Sequence, residues 1–371
     1  MLVFSKLRAI LGITLAMGLC ATRVSASPAP GTYNQLIVFG DSLSDTGNVL
    51  AKTTSYSYIT TPRPTTPWYQ PGQFTDGTAV TGSNQTKFQV IATEYSLDWD
   101  QRLAQLLGIS TFTPSSSGGT NYATGGAETG TGNFSGLSFP NMGQQVSNYI
   151  ASKPSPTPQT LFALWGGGND LIDACEAKNA TAASVAAAET SAVENVSSEI
   201  AQLSNAFPGK AINFIWPNVP PLQATPKAQS FSPIIQTALA TASYDFQQDE
   251  DFTTLELEDV FPNDHIYNLD VYGMFQDVLS NPDFYGFTNT TQSIITATSF
   301  SGTSFSATPN FPNQTVNPDQ FLFWDQLHPT SAVHNMIGEA AFDLLPEPSS
   351  VAILAVTAST IAIKRRSRTR A

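Results

Sequence analysis

The sequence predicts an α/β fold built on a mainly parallel sheet. Short apolar, β-branched runs alternate with longer segments of helical period along most of the chain, the pattern of successive strand–helix units. No unit of about 20–50 residues repeats, which sets solenoids and propellers aside. The 371 residues exceed one average domain, yet a single α/β core of roughly 250–320 residues accommodates most of them. Hydrophobic residues make up 41% of the chain, enough to fill such a core.

The expected strands are residues 35–39, 160–165, 211–216 and 266–269, each a compact apolar run. The expected helices are 98–107, 143–151, 180–206, 232–247 and 329–344. Pro208-Gly209 closes the third of these as a breaker pair should. Residues 51–97, rich in Thr, Pro and Tyr, and 285–319, rich in Ser, Thr, Asn and Phe, fit neither period. Both read as long surface excursions, and long ordered loops often shape a substrate cleft.

The two ends read differently from the body. Lys6 and Arg8 precede the apolar run 9–21, and Val24-Ser25-Ala26 offers a small-residue cleavage site, so residues 1–26 are expected to be a signal peptide of an exported protein. With Cys20 removed, Cys175 remains alone, a packed thiol rather than half of a disulfide. At the far end, Pro346-Glu347-Pro348 precedes the apolar run 351–363 and the basic run 364–370. This tripartite tail, residues 346–371, resembles the PEP-CTERM sorting signal, which implies a membrane sorting protease as partner and a secreted or cell-surface location. Residues 27–363 hold 8 basic against 29 acidic side chains, a formal charge of −21. Such a body repels nucleic acid and anionic membranes, so nucleic acid is excluded as a partner.

Four segments carry the chemistry. The apolar run Leu36-Ile37-Val38-Phe39 enters Gly40-Asp41-Ser42-Leu43, placing Ser42 beyond the carboxyl end of a parallel strand, where ligands gather. A helix starting near Ser42 is expected to aim amide N–H groups at an oxyanion. A serine hydroxyl needs a base. Of the three histidines, His328 alone follows an aspartate by three residues, in Asp325-Gln326-Leu327-His328-Pro329, a spacing that lets the carboxylate fold back onto the imidazole. His334 has no such carboxylate in sequence, and His265 reads as part of a polar turn. Donors for a developing oxyanion are offered by the Gly125-Gly126 turn and by Gly166-Gly167-Gly168-Asn169-Asp170 at the end of another strand.

These segments closely resemble the four ordered blocks of the GDSL, or SGNH, hydrolases. Gly40-Asp41-Ser42-Leu43, Gly125-Gly126-Ala127, Gly167-Gly168-Asn169-Asp170 and Asp325–Pro329 stand in the family's order, and the similarity spans roughly residues 35–344. The resemblance implies a three-layer α/β/α sandwich with a flavodoxin-like sheet, occupying residues 27–345. It implies Ser42 as nucleophile, His328 as base and Asp325 as its orienter. It also implies an oxyanion site from the Ser42 and Gly126 N–H groups and the Asn169 side chain, with Gly125 the alternative to Gly126. The loops 218–222 and 268–273 are similar to those of plant-type lipases and secreted bacterial phospholipases or haemolysins. The expected activity is carboxylic ester hydrolysis on a lipid, acylated sugar or small ester, with no metal or organic cofactor. An acyltransferase using the same site, or a non-catalytic polysaccharide-binding module, are the alternatives. No Gly-x-Ser-x-Gly elbow, His-Glu-x-x-His or phosphate loop competes.

Overall fold

The computed structural model describes residues 32–59, 61–77, 88–91, 94–134, 138–299 and 305–346. The expected leader, and the sorting tail beyond residue 346, lie outside the described residues. Among the described residues no helix is long and apolar enough to cross a membrane.

Four strands, β1 (Gln35–Gly40), β2 (Thr160–Trp165), β3 (Asn213–Pro217) and β4 (His265–Leu269), form a sheet in that spatial order. All three pairings are parallel. On the free side of β1, residues 120–124 run alongside it: the Val38 N–H donates to Thr120 O, Tyr122 N–H to Val38 O, and Thr124 N–H to Gly40 O. The flavodoxin-like order is therefore present, with its outer strand reduced to a single parallel bridge at Asn121. The chain leaves β1 toward opposite sides of the sheet, which makes the carboxyl end of β1 a topological switch point, the favoured ligand position in such sheets.

The strands are apolar over most of their length because both faces are covered; polar residues stand at their first positions and at Asn268 of β4. Ile37, Phe39, Phe162, Leu164, Phe214 and Trp216 face one core. That core is closed by α3 (Met142–Ala151), α4 (Gly168–Glu176), α5 (Ala182–Ala206) and α6 (Pro233–Val260). Leu36, Val38, Leu161, Ala163 and Ile215 face the other, closed by α2 (Trp99–Leu107), α7 (Val271–Ser280) and α8 (Ser331–Leu344). The result is the expected three-layer sandwich. Cys175 is a buried free thiol on α4, and burial pushes it up to about 11.

Several sequence expectations need correction. The helix expected over 232–247 continues to Val260, because its later buried positions include Glu250 and Thr254, which hide the apolar period. α4, α7 and the short α1 (Asn48–Ser55) were not expected; glycines and polar caps mask their starts. The described residues of 285–319 hold short strands. Ile295–Ser299 pairs antiparallel with Ser306–Pro309, Asn289–Ser293 parallel with Phe321–Phe323, and Thr315–Val316 parallel with Gln89–Val90. These short pairings bury a satellite core of Tyr69, Phe88, Ile294, Ile295, Phe305 and Trp324.

Candidate active site

β1 ends at Gly40, and Ser42 sits in the turn immediately after it. Residues 41–47 are non-helical, and α1 begins only at Asn48, so no helix starts at Ser42. Asp45 explains why. Its carboxylate accepts from the N–H groups of Gly47, Asn48 and Val49, consuming the donors of α1 at a point away from the nucleophile. The helix end beside Ser42 belongs to α4 instead, whose Gly168 and Asn169 line the same cleft.

The other half of the site is the turn between the strand Phe321–Phe323 and α8. Asp325 Oδ1 accepts from the N–H groups of Leu327 and His328, both at 2.8 Å, folding the chain back in one turn. This brings His328 Nδ1 to 2.7 Å from Asp325 Oδ2 and His328 Nε2 to 2.7 Å from Ser42 Oγ. With Nδ1 donating to the carboxylate, Nε2 presents its lone pair to the serine hydroxyl. Residues 286 positions apart thus form one continuous relay.

The electrostatics fit that relay. Burial favours the neutral form of Asp325, but the His328 charge and the hydrogen bonds from His328 and Tyr69 outweigh it and hold the carboxyl below its ordinary value. Burial likewise opposes a charge on His328, yet Asp325, and more weakly Asp41, raise it above the ordinary imidazole value. Asp41 itself is pushed up to about 6, chiefly by burial. The other histidines are elsewhere. His265 is exposed at the start of β4. His334 is buried on α8, accepts from the Trp99 N–H, and is pushed down to about 3 by burial and by His328. A carboxylate, Asp98, does approach it at 3.9 Å, supplied by a distant segment.

Of the expected oxyanion donors, Asn169 lines the cleft with Ser42. Asn169 Nδ2 donates to Ala127 O at 2.9 Å and lies 3.5 Å from Asp41 Oδ2, which ties α4 both to the glycine turn and to the residue before Ser42. Gly125 N–H is committed to Asp45 Oδ2 at 2.9 Å. Gly126 is exposed and has φ +88°, a conformation that glycine adopts without strain.

Sequence reasoning missed two residues behind the relay. Tyr69 Oη donates to Asp325 Oδ2 at 2.6 Å, and the Phe74 ring stacks on His328 with centroids 5.2 Å apart. Both come from the 51–97 segment, whose described residues thus reach the back of the relay. The cleft, about 620 Å³ counted to its open mouth, is predominantly apolar, with Ile172, Leu222, Phe275, Leu327 and Ile337 among its walls. Leu222 comes from the loop after β3, one of the two loops noted in the sequence.

The GDSL-like Lipase/Acylhydrolase profile matches residues 36–341. The chain is 27% identical to Lipase 1 of Photorhabdus luminescens over 94% of its own length and 56% of that protein. It is 24% identical to the thermolabile hemolysin of Vibrio parahaemolyticus over 85% of itself and 64% of that protein. The chain thus spans between half and two thirds of these two relatives. A phosphatidylcholine-sterol acyltransferase of Aeromonas hydrophila is 22% identical over 88% of this chain and 94% of its own. A profile match across most of the chain, containing all four motif blocks, places it: this chain belongs to the GDSL-like lipase/acylhydrolase family.

Proposed function

We propose that the chain is a serine ester hydrolase that cleaves carboxylic esters through an acyl-Ser42 intermediate. The observation that carries this reading is the unbroken relay from Ser42 Oγ to His328 Nε2 and from Nδ1 to Asp325, each contact at 2.7 Å. In the first half-reaction His328 takes the Ser42 proton as Oγ attacks the ester carbonyl. The tetrahedral oxyanion is received by the Ser42 and Gly126 N–H groups and by the Asn169 amide hydrogen that otherwise faces Asp41. His328 then returns the proton to the departing alcohol. In the second half it deprotonates water as the water oxygen attacks the acyl carbon, then returns that proton to Ser42 Oγ as the ester bond to serine breaks and the acid departs. Asp325 stays ionised throughout and steadies the imidazolium.

The apolar cleft beside Ser42 supports an aliphatic acyl chain as the group received there. The leader-like and tail-like ends support export as part of the same proposal. A second reading passes the acyl group to an alcohol instead of water. The match to a named acyltransferase over 94% of that protein's length supports it, and product analysis with an added alcohol separates the two.

The test uses p-nitrophenyl esters from acetate to octanoate and a fluorophosphonate probe. The wild-type protein should be labelled and hydrolyse esters, with kcat/KM rising with chain length until the cleft is filled. Ser42→Ala should remain folded yet lose labelling and hydrolysis. Retained turnover in Ser42→Ala removes the assignment, and an unlabelled wild-type protein favours a binding module.

A further inference from the structure

We propose that Tyr69 is a positioning residue for the His328–Asp325 pair, its hydroxyl donating to the carboxylate oxygen that holds the imidazole and so setting how strongly that oxygen draws on the ring proton. The inference rests on the function proposed above.

The geometry singles this hydroxyl out. Asp325 Oδ1 is occupied by two backbone N–H groups of its own turn, whereas Oδ2 accepts from His328 Nδ1 at 2.7 Å and from Tyr69 at 2.6 Å. Three of these four donors belong to the turn itself; Tyr69 reaches in from 256 residues away. Its ring is fully buried, packed edge-on to Phe74 at 5.9 Å and tilted against Phe305 at 5.5 Å. The Trp324 indole N–H, donating to Trp68 O at 2.8 Å, fastens the same strap to the residue before Asp325. A phenylalanine would fill the same space, so packing does not require the oxygen.

A neutral phenol donating to a carboxylate spreads the negative charge and makes the carboxylate less basic. Tyr69 stays a donor because burial and the neighbouring Asp325 both oppose its ionisation. A less basic Asp325 pulls less on the Nδ1 proton, which lets His328 shed its charge at lower pH and serve as base over a wider range. The other groups bearing on His328 are Asp41 from the turn after β1, the Ser42 hydroxyl, and His334 on α8, held neutral by burial. None of them is altered by a change at Tyr69.

The experiment compares Tyr69→Phe and 3-fluorotyrosine at position 69 with the wild-type protein. It follows kcat/KM against pH and, without substrate, the histidine ring protons by NMR, which is tractable with three histidines in the chain. In Tyr69→Phe the His328 midpoint and the acid limb should move up by about half a pH unit or more. The plateau kcat should fall several-fold with KM within twofold. The fluorinated ring, a stronger donor of nearly the same size, should move both midpoints down. Unmoved midpoints in the two variants overturn the proposal. Should Tyr69→Phe fail to fold, the fluorotyrosine protein decides alone by the same criterion. Loss of the functional reading shows separately, as a wild-type protein that hydrolyses no ester whatever its His328 midpoint does.

Discussion

Ser42 and His328 are in contact, but the rate of acyl transfer also depends on where negative charge lands. In the proposed reaction Asn169 serves that purpose, held by one amide hydrogen on Ala127 O with the second directed at Asp41 Oδ2. Removing one such donor typically costs about 3–4 kcal/mol in the transition state. Asn169→Ala should therefore lower kcat roughly a hundredfold or more, with KM and the urea midpoint little changed. A near-normal kcat would reduce Asn169 to a tie between α4 and the glycine turn. Ser42, Asp325, His328 and Asn169 were legible in the sequence because each sits in a short string whose spacing already encodes its turn. Tyr69 and Phe74 were not. They act across 256 and 254 positions on Asp325 and His328, inside a Thr- and Pro-rich stretch that has no period to reveal which aromatic points inward.

At the level of elements, the central sheet was readable almost to the residue, since strands buried on both faces read as near-continuous apolar runs. β2 falls on 160–165 as expected, and β1, β3 and β4 differ from expectation by one or two residues at an end. Helices with polar buried positions were harder: α6 hides its second half behind Glu250 and Thr254. The helix expected at Ser42 failed because Asp45 spends the first amides of α1 elsewhere. What the β1–β2 junction does require is a residue without a side chain. A Cβ on Gly40 would lie 2.5 Å from the carbonyl oxygen of its sheet partner Trp165. Because the obstacle is backbone within a paired register, neither strand yields easily. Gly40→Ala should cost about 1–3 kcal/mol, read as a lower urea midpoint, with kcat reduced because Ser42 hangs from the displaced turn. An unshifted midpoint would show that the sheet edge is softer than this contact implies.

The whole molecule is acidic inside as well as out. Asp41 and Asp45 are pushed up to about 6, and Asp76 and Glu189 to about 7, chiefly by burial. Asp98, Asp100, Glu199 and Glu250 are raised well above the ordinary carboxyl range for the same reason. The folded protein thus keeps protons that the unfolded chain releases near pH 4. Their contribution is fully present below that value and is lost as pH rises through about 6–7. Asp325 runs oppositely with its transition below that window, and His334, held neutral down to about 3, runs oppositely within it, but it is one group against several raised carboxyls. Stability should therefore fall between pH 5 and pH 8 by on the order of 2 kcal/mol or more, measured as urea midpoints at each pH. A flat or rising profile would mean that these carboxyls ionise in the fold at little cost.

The base reaches the nucleophile only through the last turn before α8, 286 residues downstream. A chain still emerging from the ribosome can complete all four sheet strands while its serine remains inert. On the proposed function, hydrolytic competence switches on late, once the closing helix docks, so that a half-made chain leaves the synthesising cell's own esters untouched.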